Sequence, residues 1–321
     1  GQLQLDFFHQ RDAHFRRDDR NGQFGEGHLL FATPLPYSRI ELDAFRMVPR
    51  KSARIVLCDD GYTGIAAGAA AKLQALGYTD VALLNGGVRA WAAARYSLFR
   101  GVNVPSKTLG ELVEHACHTP LITAQELVRM QEAGEDFIIV DGRPFNEYQK
   151  MNIPGGICCP NAELPYRMPE FLRSPETTVV VNCGGRTRSI IGAQVLINAG
   201  FPNPVYALRD GTQGWKLAGF QLNHGRTEAV PLPSQQGLGW SQQAAQRVAR
   251  RFGIRRIDAA RLQQLRADTM RTLYLLDVRN PEEFEQGHVP GAQSAPGGQL
   301  VQATDTFIAV RPSTIVLCDN D

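Results

Sequence analysis

The sequence predicts an α/β fold in which a small parallel β-sheet, with helices on both faces, is repeated along the chain. Short apolar runs such as FIIV at residues 137–140 and VVV at 179–181 are typical of strands that are buried on both faces of a parallel sheet. Helical patterns alternate with these runs, and such alternation favours parallel strands that are joined by helical crossovers.

One strand pattern occurs three times, and each copy runs into a cysteine. The copies read IVLCDD at 55–60, VVVNCG at 179–184 and IVLCDN at 315–320. Histidines 28 and 288 each stand thirty residues before the cysteines at 58 and 318, and Asn152 stands at the matching place in the middle copy. We therefore predict three homologous repeats whose cysteines occupy equivalent positions.

The repeats suggest a division of the chain. We place repeat 1 at 1–104, a linking helix at 105–120, repeat 2 at 121–224, a linker at 225–253 and repeat 3 at 254–321. Residues 3–8 are the candidate first strand, and the segment that follows them is dense in charge. Repeat 3 matches only the front half of the other copies, so we expect it to be incomplete.

The composition describes an ordinary globular protein and excludes several classes of function. The 321 residues carry a net charge of only +2, which gives no reason to expect nucleic acid or a membrane surface as partner. No apolar run is long enough to span a bilayer. The six cysteines form no C-x-x-C pair, so we expect no metal, and we expect no cofactor either. Six cysteines in so long a chain are too few for a disulfide scaffold, so we expect free thiols in a reducing, cytoplasmic compartment. We expect Cys158 and Cys159 to be packed at a strand end.

The stretch 178–189, TVVVNCGGRTRS, is the candidate for chemistry. A buried strand ends in Cys183, a turn of glycine and arginine follows, and a helical pattern begins next. Helix N-termini and neighbouring arginines favour the reactive thiolate form of a cysteine. Paired glycines allow successive backbone N–H groups to turn inward and bind an anion.

This loop, with its C-x4-R spacing, resembles the active loop of the rhodanese sulfurtransferases. In repeat 3 the run DVRNPEEF at 277–284, followed by GHVPGA, resembles the front half of the same domain. The resemblance implies that a sulfane sulfur is taken from a donor such as thiosulfate, carried as a cysteine persulfide and passed to cyanide or a thiol.

The resemblance also implies roles for the residues of repeat 2. Cys183 would be the nucleophile, and Arg186 and Arg188 would attract the anionic donor. The backbone of the loop would cradle the sulfur through Gly184, Gly185, Arg186, Thr187, Arg188 and Ser189. Asp141 and Arg143 match an Asp-x-Arg element and would fix the geometry of the loop. We expect a narrow, electropositive pocket in which the thiol is open to solvent.

The other two loops do not support this chemistry. Cys58 is followed by Asp59 and Asp60, and Thr63 takes the arginine position; Cys318 is followed by a similarly acidic sequence. Like charge disfavours a thiolate and repels anionic donors. We therefore expect both repeats to be inactive, and the two histidines to make structural hydrogen bonds.

Two alternatives to a sulfurtransferase remain open at this stage. A phosphatase or arsenate reductase on the same fold needs the wider spacing C-x5-R, and here Ser189 stands where that arginine would be. A non-catalytic sulfur-relay or scaffold protein would use its repeats to dock partners, and the acidic loops of repeats 1 and 3 favour that role for them.

Overall fold

The computed structural model describes residues 4–6, 22–172 and 174–320. The charged segment 7–21 therefore lies outside the described residues, and of the predicted first strand only Gln4–Asp6 is described. The chain divides into two compact units. The composite unit comprises the described residues up to 106 together with 257–320, and the middle unit comprises the described residues from 107 to 256. In the described part of the chain, no helix is both long and apolar enough to cross a membrane.

The strands occur in the following order along the chain: β1 (Gln4–Asp6), β2 (Ile55–Cys58), β3 (Val81–Leu83), β4 (Leu121–Ile122), β5 (Phe137–Asp141), β6 (Gly156–Cys158), β7 (Thr178–Asn182), β8 (Val205–Leu208), β9 (Leu273–Asp277), β10 (Gln293–Ser294) and β11 (Thr314–Cys318). The α-helices are α1 (Gly22–Glu26), α2 (Ile40–Met47), α3 (Ile65–Ala75), α4 (Gly87–Ala93), α5 (Val104–Cys117), α6 (Ala124–Glu132), α7 (Phe145–Lys150), α8 (Leu164–Phe171), α9 (Thr187–Ala199), α10 (Gly211–Leu217), α11 (Gln235–Arg251), α12 (Ala259–Ala267), α13 (Pro281–Gln286) and α14 (Gly297–Gln302).

The middle unit is built on a parallel sheet with the strand order β4-β8-β7-β5-β6. The buried side chains of β7 alternate between two apolar clusters: Val179 and Val181 belong to one cluster, and Val180 belongs to the other. Both faces of the sheet are therefore covered, which explains why the central strands are continuously apolar. The α/β class, with parallel strands and helices, is confirmed.

The helix boundaries agree with the sequence patterns where capping signals are strong. The T-x-x-E pattern at 123–126 predicts a capping box, and α6 begins after it: the side chains of Thr123 and Glu126 each bond the backbone N–H of the other. α11 differs, because it occupies most of the predicted linker 225–253. Ser234 caps α11, and Trp240 packs edge-on against Phe201 at a ring-centroid distance of 6.0 Å.

The composite unit contains two parallel sheets, with the strand orders β1-β2-β3 and β10-β9-β11. Their apolar side chains share one core, and Tyr274 crosses it. The Tyr274 hydroxyl donates to the carbonyl of Met47 at 2.5 Å and accepts from the N–H groups of Ala309 and Val310 at 3.2 and 3.0 Å. Repeats 1 and 3 are thus joined by packing and by buried hydrogen bonds.

The histidines of repeats 1 and 3 have the structural role that was predicted. His28 stacks on Phe24 at 3.9 Å, and His288 stacks on Phe284 at 3.8 Å. His288 Nδ1 lies 3.0 Å from the carbonyl of Phe284, and the amide of Asn152 donates to the equivalent carbonyl of repeat 2 at 3.0 Å. Histidine and asparagine therefore make the same backbone contact in different repeats.

The strand registers show that the prediction of three equivalent cysteines is wrong. In repeat 2, Asn182 pairs with Asp141; in repeat 3, Cys318 pairs with Asp277, which begins the same Asp-x-Arg element. Cys318 therefore lies at the position of Asn182, one residue before the position of Cys183.

Repeat 1 shows the same offset of one residue. Ile55 pairs with Val81 just as Val179 pairs with Val205, so Cys58 also corresponds to Asn182. The position of Cys183 is held by Asp59 in repeat 1 and by Asp319 in repeat 3. The assignment of Thr63 to the arginine position is wrong for the same reason, because Gly64 corresponds to Arg188.

Candidate active site

The candidate site is the loop 183–186, which joins the carboxyl end of β7 to the N-terminus of α9. The carbonyl of Cys183 accepts hydrogen bonds from the backbone N–H of Thr212 at 2.7 Å and from its hydroxyl at 3.0 Å. Gly211 has a left-handed conformation with φ +52°, and a Cβ there would overlap the carbonyl oxygens of Cys183 and Gly185. The turn before α10 thus holds the loop through its backbone.

A buried ion pair lies beside the loop. Arg143 donates to both carboxylate oxygens of Asp141, at 2.8 and 2.7 Å, and to the carbonyl of Met151 at 2.7 Å. Asn182 donates to the same carboxylate at 2.9 Å. Burial lowers the pKa of the Arg143 guanidinium, but its bonds to Asp141 raise the pKa more, and a negative charge on Cys183 adds to the rise. Arg143 is therefore a permanent cation close to the thiol.

Both arginines that were expected to attract the donor are paired with carboxylates, and the prediction that the thiol is open to solvent is wrong. Arg188 makes a two-pronged pair with the Glu147 carboxylate at 2.9 and 2.8 Å. Arg186 binds Glu111 at 2.8 Å and also binds Glu114. Cys183 is 1% exposed, so the thiol is shielded rather than open to solvent. Residues 184–188 around it are half-buried.

The loop retains backbone donors that could bind an anion. The N–H groups of Gly185 and Arg186 have no acceptor among the residues that the structure describes. The N–H groups of the first turn of α9 have no partner inside the helix because of helix geometry. These donors and the positive end of the helix dipole favour negative charge on or next to the Cys183 sulfur.

Repeat 1 shows what such a loop binds. There the carboxylate of Asp59 accepts from the N–H of Gly61 at 2.8 Å, and that of Asp60 accepts from the N–H groups of Tyr62 and Thr63 at 2.9 and 3.2 Å. By the strand registers, these three donors correspond to residues 185–187 of repeat 2. The side chains of the chain itself thus occupy the anion cradle of repeat 1.

Cys158 and Cys159 are buried at the end of β6, where packing explains them. Burial raises the pKa of Cys158 to about 12, and burial also raises the pKa of Cys159. None of the six cysteines forms a disulfide. In the described part of the chain, no group of histidine, cysteine and carboxylate side chains could hold a metal ion.

The profile of the rhodanese-like domain family matches residues 19–94, 123–218 and 258–321. The chain belongs to the rhodanese-like family. The tandem repeat predicted from the sequence is thereby confirmed, since the same domain matches three times.

Two known proteins are similar to this rhodanese-like chain. A crystal structure of a thiosulfate sulfurtransferase from Pseudomonas aeruginosa is 50% identical, with a TM-score of 0.91, over 99% of this chain and 58% of that chain. An HTH-type transcriptional regulator of Mycobacterium tuberculosis is 38% identical over 104 residues, which are 32% of this chain and 45% of the regulator. The chain thus spans little more than half the length of the first protein.

Several residues that contact the rhodanese-like loop were missed by sequence reasoning. Glu147, Glu111 and Glu114 bind its arginines, and the side-chain amide of Asn161 donates to the carbonyl of Arg188 at 2.7 Å. Only Glu147 had a usable signal, because it follows the Asp-x-Arg element at the start of the next helix. The alignment of the repeats had a signal of its own. Asn152 stands thirty residues before Asn182, just as His28 and His288 stand thirty residues before Cys58 and Cys318, so these two cysteines correspond to Asn182 and not to Cys183.

Proposed function

We propose that this protein is a rhodanese-type thiosulfate sulfurtransferase in which repeat 2, residues 121–224, carries the reaction on Cys183. The Arg143 side chain lies next to the loop, since a Cβ added at Gly184 would be 3.8 Å from its Cδ, and the loop backbone supplies donors for the charge of a Cys183 thiolate. Gly184 and Gly185 add no side chain to the loop, and Thr187, Arg188 and Ser189 form the first turn of α9. A small anionic donor fits this arrangement better than a bulky one.

The reaction proceeds by two displacements at sulfur. The Cys183 thiolate attacks the outer sulfur of thiosulfate; the S–S bond of thiosulfate breaks, and sulfite leaves with the electron pair. The new S–S bond makes a persulfide, whose negative outer sulfur lies among the backbone donors. Cyanide or a thiolate then attacks that outer sulfur, and the Cys183 thiolate is the leaving group. No separate general base is needed while the thiolate is populated.

One observation carries this proposal. The loop of repeat 1 binds two carboxylates through N–H groups whose counterparts at Gly185 and Arg186 have no acceptor among the described residues. Repeat 2 has glycine where repeat 1 has Asp60, and it has a cysteine where repeat 1 has Asp59. The same backbone thus serves an internal anion in one repeat and, in our proposal, a bound sulfur anion in the other.

Supporting evidence comes from the similar proteins and from the cysteines. The Pseudomonas aeruginosa thiosulfate sulfurtransferase is 50% identical to nearly the whole of this chain. Six cysteines without a disulfide agree with a reducing, cytoplasmic location, which we also propose. Because Cys183 is shielded, residues 184–188 must move apart to admit the donor.

Repeats 1 and 3 take a non-catalytic role in this proposal. Both have an aspartate at the position of the nucleophile, and the anion cradle of repeat 1 is occupied by its own side chains. The phosphatase alternative gains no support from the geometry. Ser189, which stands where the wider loop needs an arginine, donates its hydroxyl to the carbonyls of Arg186 and Leu208 and is buried.

The test is thiocyanate production from thiosulfate and cyanide by the full chain. We expect Cys183→Ser to abolish turnover, and we expect the matched change Cys58→Ser to leave the rate within about twofold, because Cys58 corresponds to Asn182. Mass spectrometry should show an added sulfur atom on Cys183 after incubation with thiosulfate alone. Full activity of Cys183→Ser would reject the site, and hydrolysis of an aryl phosphate without thiocyanate production would favour the phosphatase.

A further inference from the structure

Arg186 of the loop and Arg188 of the first turn of α9 are outnumbered by the carboxylates that they bind. Arg186 binds Glu111 and Glu114 of α5, and Arg188 binds Glu147 of α7. These five side chains carry a net charge of −1. A net positive charge around the loop would attract a dianionic donor more strongly.

The two α5 glutamates act together on one arginine. Glu111 and Glu114 are three residues apart on a helix and therefore lie on the same face. The Glu111 carboxylate accepts from the Nε of Arg186 at 2.8 Å, and the Glu114 carboxylate accepts from a terminal guanidinium nitrogen of Arg186. The Arg186 side chain is 31% exposed, so it is neither buried in the core nor free in solvent.

α5 is held against the loop by close packing as well as by charge. A Cβ on Gly110 would lie 2.8 Å from the Thr187 methyl group and 3.2 Å from its Cα, so the two backbones are nearly in contact. Gly110 immediately precedes Glu111. We call Gly110, Glu111 and Glu114 together the α5 clamp. The clamp connects the loop and the first turn of α9 to a helix that the sequence predicts as a linker.

We propose that Glu111 and Glu114 are specificity-determining positioning residues that hold Arg186 away from the donor site and so weaken the binding of doubly charged sulfur donors. This inference rests on the proposed function and names a property of the same site. With the clamp in place, Arg186 is paired with the α5 glutamates and Arg188 with Glu147, so the donor relies on the backbone N–H groups. With the clamp removed, Arg186 is free to swing over the loop and to add a cation.

The first test measures binding without turnover. Thiosulfate is titrated by calorimetry into the full chain carrying Cys183→Ser, with and without Glu111→Gln and Glu114→Gln. Loss of two negative charges and release of one cation should tighten binding about three- to tenfold, and 0.5 M salt should reduce the gain. The matched control is Glu132→Gln with Glu135→Gln, an exposed glutamate at the end of α6 and another three residues beyond it, which should change binding less than twofold.

The second test separates a positioning role from a structural one. In the active protein, the α5 double variant should lower the KM for thiosulfate, leave kcat unchanged, and lower the KM for the singly charged donor benzenethiosulfonate by less. Adding Arg186→Gln should cancel the gain, because the glutamates act through that arginine. Thermal unfolding of the double variant verifies that it is folded.

The possible failures are distinct. If the wild-type chain makes no thiocyanate, the proposed function is rejected, while the calorimetric result still decides the role of the clamp. If the double variant binds thiosulfate no better, or if the gain survives Arg186→Gln, the clamp does not control the donor site through Arg186. If the double variant loses kcat equally for both donors, the pairs of Arg186 with Glu111 and Glu114 only stabilise the loop.

Discussion

Asp141 and Arg143 illustrate how single residues determine the electrostatics of the site. The pair is almost fully buried, and the carboxylate also accepts from Asn182, which directly precedes the nucleophile. Removal of one charge from a buried pair leaves the other without compensation and costs roughly 3–5 kcal/mol. The pair therefore contributes to both the stability of the middle unit and the placement of the loop.

We predict that Asp141→Asn lowers the free energy of unfolding of the middle unit by about 3 kcal/mol. It should also lower kcat for thiosulfate, because Arg143 and Asn182 lose their shared partner. Denaturant unfolding with a probe in the middle unit, such as Trp240 fluorescence, gives the first value, and thiocyanate formation gives the second.

Repeat 3 offers a matched control for this change. Asp277 and Arg279 form the same pair at 2.6 Å, but Arg279 is more exposed, with 16% of its side chain accessible. Asp277→Asn should destabilise the protein less and should not alter turnover, because repeat 3 has no cysteine at the catalytic position. Equal losses of activity in the two variants would contradict a specific role for Asp141.

At the scale of elements, α5 is more than a connection between repeats. Its residues Gly110, Glu111 and Glu114 contact α9 and the loop. A helix that lies this close to another backbone cannot accept a methyl group without displacement, and overpacking of this kind costs about 1–3 kcal/mol.

We predict that Gly110→Ala destabilises the middle unit by about 1–2 kcal/mol and weakens the contact between α5 and the loop. The matched control is Gly239→Ala in α11, where nothing lies within 4 Å of the added carbon. That change should stabilise the unit by about 0.5–1 kcal/mol, because alanine favours a helix interior. Thermal unfolding of both variants shows whether the two changes in stability have opposite signs. Stabilisation by Gly110→Ala would contradict the close approach of Gly110 to Thr187.

The elements also show which features the sequence could predict. Apolar runs, a capping box and the threefold pattern were sufficient for the parallel sheets, for α6 and for the loop at the end of β7. The contacts of the arginines were not predictable, because Glu111 and Glu114 are more than seventy residues away from Arg186 along the chain. The alignment by cysteine failed because a residue that ends a buried strand and a residue one place beyond it look alike in sequence.

At the scale of the whole molecule, the order of the repeats along the chain differs from their grouping into compact units. Repeats 1 and 3 share a core, although repeat 2 separates them in sequence. Asp305 lies buried in this composite unit, and one of its carboxylate oxygens has no hydrogen-bond partner among the described residues. Burial opposes its charge, and a hydrogen bond from its own backbone N–H, together with His28 and Arg311, offsets the effect of burial only partly.

We predict that Asp305→Asn stabilises the composite unit at neutral pH. Burial raises the pKa of Asp305 in the folded state above its ordinary value of 3.8, so the folded protein holds this proton more tightly than the unfolded chain. Wild-type stability from this group is therefore complete below the unfolded pKa and is lost as the pH rises through the folded pKa. The gain from asparagine should be roughly 1 kcal/mol at pH 7.5 and should shrink as the pH is lowered.

Thermal unfolding of the wild type and the variant across this pH range measures the difference. Asp80→Asn is the control, because 46% of the Asp80 side chain is exposed and its pair with Arg54 at 3.1 Å is of a kind worth only about 0–1 kcal/mol. The control should not show a stabilisation that disappears on acidification. A loss of stability in Asp305→Asn at pH 7.5 would mean that the carboxylate is satisfied in the folded protein. The shared core of repeats 1 and 3 would then hold this charge at no net cost.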